Sequence, residues 1–141
     1  MLELEGVNTY RGAAHILRGV SLTVRDAEVV CLVGRNGAGK TTTIDSIMGL
    51  LPVRSGKITF QERNVTKLAA HERARLGVGY APEDCGIFPD LTVDENLRIC
   101  EWLAGTSRRG AKQTSPKDMD GKIFDLFPEL RALTPRRGLY L

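Results

Sequence analysis

The sequence has no apolar run long enough to cross a bilayer. Its longest is Val29 to Val33, against the roughly twenty residues a spanning helix needs. The start carries Glu3 and Glu5 in place of a basic-then-apolar pattern, so it is not expected to act as a secretory signal. These absences point to an intracellular soluble chain, one still able to dock onto a membrane protein. Cysteine is scarce: the 3 residues Cys31, Cys85 and Cys100 are widely spaced, and no C-x-x-C occurs. Neither a disulfide framework nor a zinc site is indicated. Cys31 lies within the apolar run and reads as a small core residue. His15 and His71 have no acid or cysteine pattern around them and read as surface side chains.

No block of one charge sign stands out. Residues 1–70 hold 9 basic and 6 acidic side chains, and residues 71–141 hold 11 of each, for a net charge of +3. A nucleic-acid domain would concentrate its basic residues, so no nucleic-acid partner is expected. The local exception is 105–117, with Arg108, Arg109, Lys112 and Lys117 and no acid. It reads as a solvated loop.

What is present is ordinary for one small globular domain: 141 residues, 42% hydrophobic and 26% charged. Leu2–Val7 and Ile16–Val24 read as strands, and Lys57–Phe60 as another. Glu28–Val33 is continuous and rich in β-branched residues, the pattern of a strand buried on both faces. Lys40–Leu50 carries Ile44, Ile47 and Met48 at helical spacing, and Gly49 and Pro52 end it. Leu68–Leu76 reads as a short helix stopped by Gly77, and Val78–Ala81 as a short strand. Thr92 and Glu95 form a capping-box signature that predicts a helix over Val93–Ala104. Ile123, Phe124, Phe127 and Leu130 keep helical spacing, interrupted by Pro128.

One motif carries chemistry. Residues 34–42 read GRNGAGKTT and match G-x-x-x-x-G-K-[ST], the phosphate-binding loop. Gly34, Gly37 and Gly39 let the backbone turn tightly and approach a phosphate with no Cβ in the way. Successive amides, with those of Arg35, Asn36 and Ala38 among them, then form an anion nest at the positive end of the following helix. Lys40 is the expected contact to the β- and γ-phosphates, Thr41 the Mg²⁺ ligand, and Thr42 a donor to the α-phosphate. The loop follows an apolar strand and opens a helix, as the motif requires. A guanine-reading N-K-x-D is absent.

Around the loop the chain resembles an ABC-transporter ATPase. ILRGVSLTV (16–24), GRNGAGKTTTIDSIMGLLPVRSGKITF (34–60) and GVGYAPEDCGIFPDLTVDENL (77–97) carry the resemblance, which runs to about Arg137. Ala81-Pro82-Glu83 and residues 87–93 look most like ATPases of branched-chain amino-acid importers, with urea and amide importers close by. The resemblance implies an α/β fold: a P-loop NTPase core, with a parallel sheet flanked by helices, an antiparallel β layer and the start of a helical subdomain. It implies a nucleotide core over 1–90 and the helical part over 91–141. ATP and Mg²⁺ are the implied cofactors.

Residues Gly34, Arg35, Asn36, Gly37, Ala38, Gly39, Lys40, Thr41 and Thr42 match the family's phosphate loop. Glu83 falls where most members have a Gln that contacts Mg²⁺ and the attacking water, and where the importer subgroup has Glu. The resemblance therefore makes Lys40 and Glu83 catalytic candidates, and Thr41 and Glu83 candidate metal ligands. The family puts an adenine-stacking aromatic directly before the glycine that matches Gly12. Here that residue is Arg11, with Tyr10 one earlier, and both are candidates. Ala27 replaces the family's usual Gly before Glu28, at a turn that a positive φ would strain.

The implied function is that of an importer's ATP-binding subunit. Its partners would be membrane-embedded permease subunits and a second ATP-binding subunit. Its place would be the cytoplasmic side, peripheral on the inner face of the cell membrane. The resemblance ends before the family's L-S-G-G-Q signature, and no strand ending in Asp-Glu and no switch His follow. The expectation is thus somewhat more than the first half of such a domain, with slow hydrolysis. A non-hydrolysing nucleotide-binding remnant is the second reading, and a nucleic-acid-associated ATPase the third.

Overall fold

The computed structural model describes residues 1–84, 86–105 and 116–140. The chain forms two compact units, Met1–Val78 and Gly79–Leu141.

The first unit is built on one antiparallel sheet. Strands β1 (Leu2–Arg11), β2 (Ala14–Val24), β3 (Val53–Phe60) and β4 (Arg63–Asn64) pair in the order β2-β1-β3-β4. β1 is central, with Leu2 opposite both Val24 and Phe60. Its inward positions change phase part-way. Leu4 and Val7 are both buried although three residues apart, because the register shifts between them on both sides. Gly6 makes that bulge with φ +57°, and Gly56 faces it with φ +96°. A Cβ on Gly56 would lie 2.4 Å from the Gly6 carbonyl oxygen, so the bulge depends on a bare backbone there.

Leu4, Val7, Leu17, Ile58 and Val65 form the core, with Ile16, Ile47, Leu68 and Leu76 packed around it. Ile47 comes from helix α1 (Lys40–Met48), and Leu68 and Leu76 flank helix α2 (Ala70–Arg75). Gly49 ends α1 in the left-handed region, as its sequence position indicates.

The mixed α/β architecture and the antiparallel layer are as expected. The buried strand over Glu28–Val33 is not formed: these residues carry no strand pairing, and Val29 and Val33 are 96% and 86% exposed. Cys31 is exposed with them and is not a core residue. Val78–Ala81 likewise forms no strand. β-propensity gives a strand only beside a backbone that completes its ladder, and among the described residues none does so here.

The turn before this run follows its expectation closely. Arg25–Glu28 closes with the Glu28 amide donating to the Arg25 carbonyl at 3.2 Å, and Ala27 stands at φ +58°. A side chain in the left-handed region costs about 1–2 kcal/mol, partly offset by the chain entropy a glycine would lose. Ala27→Gly should therefore raise stability by about 0.5–1 kcal/mol, read as a higher urea midpoint with unchanged slope.

The second unit contains α3 (Val93–Gly105), α4 (Pro116–Leu126), α5 (Leu130–Leu133) and a 3-10 turn, Gly138–Tyr140. The residues before α3 are tied to the end of the chain. The Val93 amide donates to Arg136 O at 2.9 Å, and the Gly138 amide to Leu91 O at 2.8 Å. Asn96 clasps the preceding turn, accepting from the Phe88 amide at 2.9 Å and donating to its carbonyl at 3.1 Å. Of the basic stretch, Arg108, Arg109 and Lys112 lie outside the described residues. Lys117 lies on α4 rather than in a loop, because Pro116 sits where proline suits the first turn of a helix. Among the described residues no helix is long and apolar enough to cross a membrane.

The capping box forms as read. The Thr92 amide donates to Glu95 Oε2 at 2.8 Å, and the Glu95 amide to Thr92 Oγ1 at 3.2 Å. The Thr92 amide, then its hydroxyl, hold the Glu95 carboxyl below its ordinary range, and Arg137 and Arg98 add to this. A carboxyl depressed in the folded state stabilises fully above its unfolded pKa, and the contribution fades as pH falls through the folded value. Between about pH 5 and pH 3 the parent chain should thus lose more stability than Glu95→Gln. Parallel acid titrations of the thermal midpoint check this.

Candidate nucleotide site

Residues 34–39 turn from the exposed extended segment into α1. Gly37 and Gly39 stand at φ +83° and +96°, where a Cβ is strained. Gly39 is constrained twice: a Cβ there would lie 3.1 Å from Leu17 Cδ2 on β2, so the start of α1 sits close against the sheet. The helix begins firmly, with the Thr43 amide donating to Gly39 O at 2.8 Å and its hydroxyl to the same oxygen at 2.9 Å.

Lys40 folds into this turn. Its Nζ donates to Gly34 O at 2.8 Å and to Arg35 O at 3.0 Å. The ammonium thus sits at the mouth of the loop, where an anion held by the loop amides and the helix N-terminus would meet it. Arg35, Asn36 and Ala38 are exposed along the turn, and Thr41 is exposed at its helical end. Three glycines without Cβ atoms, one ammonium and an adjacent exposed hydroxyl suit a Mg-nucleotide's phosphates.

Thr42 differs from Thr41. It is buried, and its Oγ1 accepts from Arg11 Nε at 3.2 Å. The Arg11 guanidinium also pairs with Asp45, one turn along α1. Tyr10 is stacked on His15, with ring centroids 4.3 Å apart and planes 6° from parallel. Residues 10–13 and 51–54 together line a cavity of about 1000 Å³. Thus the structure brings Arg11 to the loop's helix and Tyr10 to a cross-strand neighbour. Glu83 is an exposed residue of a turn in the second unit. Among the described residues no group of three or more His, Cys, Asp or Glu is arranged to hold a metal ion.

Two residues of this unit escaped sequence reasoning. Asp45 anchors Arg11 from 34 positions away. Arg73, only 2% exposed, donates to the carbonyls of Ser46 and Ile47 at the far end of α1, both at 2.7 Å. Asp45 shares a helix face with Thr42, three residues apart, and that spacing was a readable signal. Nothing local marks Arg73.

The family model described as ABC transporter matches residues 17–133. The chain belongs to the ABC transporter ATP-binding family. A probable branched-chain amino acid transport ATP-binding protein, LivF, of Archaeoglobus fulgidus is 34% identical over 138 residues, covering 98% of this chain and 56% of that protein. The lipopolysaccharide export system ATP-binding protein LptB of Escherichia coli K12 is 43% identical over 88 residues, 62% of this chain and 36% of that one. The chain therefore spans about half the length, or less, of these ABC relatives. A nucleotide-free ATP-binding cassette from an ABC transporter superposes with a TM-score of 0.76 at 26% identity, covering 100% of this chain and 58% of that one. A dimeric cassette bound to ADP and Pi in a post-hydrolysis state shares the fold, with a TM-score of 0.78 at 22% identity.

Proposed function

We infer that this chain binds Mg-ATP through residues 34–42 as the nucleotide-binding part of an ABC transport ATPase. The observation that carries the reading is Lys40, held by two carbonyls of a glycine turn that opens a helix. In the bound state Lys40 would exchange those carbonyls for phosphate oxygens, a charge-assisted contact of greater strength. Loop amides and the positive end of α1 would orient the phosphates, and Thr42 would donate to the α-phosphate. Thr41, exposed at the helical end of the loop, would hold Mg²⁺, whose charge would help neutralise the phosphate oxygens. In the whole protein, hydrolysis would be coupled to transport through membrane-embedded permease subunits. A second ATP-binding subunit would take part, at the cytoplasmic face of the membrane.

The finer reading is an importer of branched-chain amino acids or a related substrate. Its support is the LivF relative, similar over 98% of this chain, whereas the export protein LptB is similar over 62%.

Thermal unfolding with and without millimolar Mg-ATP tests the nucleotide reading. A ligand of the folded state raises the transition by mass action, by about 2.7 kcal/mol at a hundred times Kd. A midpoint that Mg-ATP leaves unmoved overturns the reading.

A further inference from the structure

We propose that Arg11 is a phosphate-side residue of the nucleotide site, so that this chain reads a nucleoside triphosphate chiefly by its phosphates and discriminates weakly between bases. The proposal rests on the nucleotide reading above and fixes what the end of β1 contributes to it.

Side chains alternate across a strand, and contacts settle which face each takes here. Thr9 faces α1, its hydroxyl 2.9 Å from that of Ser46. Arg11, two residues on, faces α1 as well, through Thr42 and Asp45. Tyr10 lies between them and points to the other face, where its ring is stacked on His15, its cross-strand partner. The aromatic of this strand end is thus turned away from the helix that carries the phosphate loop, and the cation is turned towards it.

The guanidinium rests on Thr42, two residues beyond Lys40, on the first turn of α1. Asp45 holds one edge of it and fixes its plane. Of five N–H donors these contacts use two, and the remaining fork matches the geometry of phosphate oxygens. The carboxylate also offsets part of the charge that Arg11 brings to the start of α1. Asp45 is accordingly a positioning residue for Arg11. A site built this way draws its affinity from charge and hydrogen bonds at the triphosphate. A stacked ring would have rewarded the base.

The test compares Mg-ATP, Mg-GTP and Mg-tripolyphosphate, which has no base, by calorimetry on the parent chain, Arg11→Ala, Arg11→Lys and Lys40→Ala. Circular dichroism confirms that each variant is folded. In the parent chain the three ligands should bind within about tenfold of one another. Arg11→Ala should weaken all three by a similar factor, on the order of tenfold, and Arg11→Lys should recover part of it. Loss of Mg-ATP binding with Mg-tripolyphosphate unchanged would mean that Arg11 stacks on the base, and the proposal fails. Unchanged binding of all three in both Arg11 variants would mean that the Asp45 pair is only structural, and it fails again. Equal binding by Lys40→Ala, or none by the parent chain, would instead bring down the nucleotide reading itself.

Discussion

Arg73→Met should destabilise the first unit by about 3–5 kcal/mol, the cost of stripping a buried charge network. The guanidinium donates to Leu68 O and Thr66 O at 2.9 Å and to Ser46 O and Ile47 O at 2.7 Å. Ser46 and Ile47 belong to the last turn of α1, whose carbonyls have no partner within the helix. A cation there also opposes the negative end of the helix dipole. Burial lowers the Arg73 pKa, and the guanidinium nonetheless remains charged at neutral pH because its starting value is so high. Space around it is fully used: a Cβ on Gly49 would lie 2.8 Å from its Nε. Methionine keeps much of the stem's packing and removes the donors and the charge together, so the measured loss reports on the polar contacts rather than on packing. Urea unfolding checks the size, with Arg73→Lys falling between the two because an ammonium has three donors and no fork. A loss below about 1 kcal/mol would show that the carbonyls find other partners.

Lys40→Ala should weaken Mg-ATP binding by roughly a hundredfold, about 3 kcal/mol, while leaving the unliganded protein nearly as stable as before. The two effects separate because the ammonium's protein contacts are exposed and its proposed phosphate contacts are charge-assisted. The check is the nucleotide-induced stabilisation: about 2.7 kcal/mol in the parent chain at a hundred times its Kd, and only about 0.4 kcal/mol in the variant at the same ligand concentration. Equal Mg-ATP affinity in the two proteins would remove Lys40 from the site.

Much of the fold was legible where its signals are local. The glycine spacing of 34–39, the Gly49 stop and the Thr92–Glu95 box each act within a few residues, and each forms as read. Ala27 was legible for the same reason, since the turn's geometry can be argued from one replaced glycine. What failed depends on partners distant in sequence. Glu28–Val33 has strand composition, yet no described backbone lies beside it to make the ladder, and Cys31 is exposed along with it. Arg73 and Asp45 owe their roles to groups 27 and 34 residues away. A single sequence offers no means of pairing such positions. Tyr10 and Arg11 could be named as candidates from the sequence. Their opposite orientations follow only from seeing which neighbour each one meets.

The strand order has a consequence for how this unit assembles. β1 and β2 are joined by a tight connection at Gly12-Ala13 and close cheaply, on the microsecond scale typical of hairpins. β3 reaches β1 only after the chain has run through residues 25–52, which hold the phosphate loop and all of α1. The candidate phosphate loop and its helix are therefore a closed excursion, pinned at its base by the β1–β3 ladder, and its closure entropy is met by that pairing. A phosphate held at the tip of the excursion and amide protons exchanging at its base would report on one opening reaction. Occupancy of the loop should therefore slow exchange along β3.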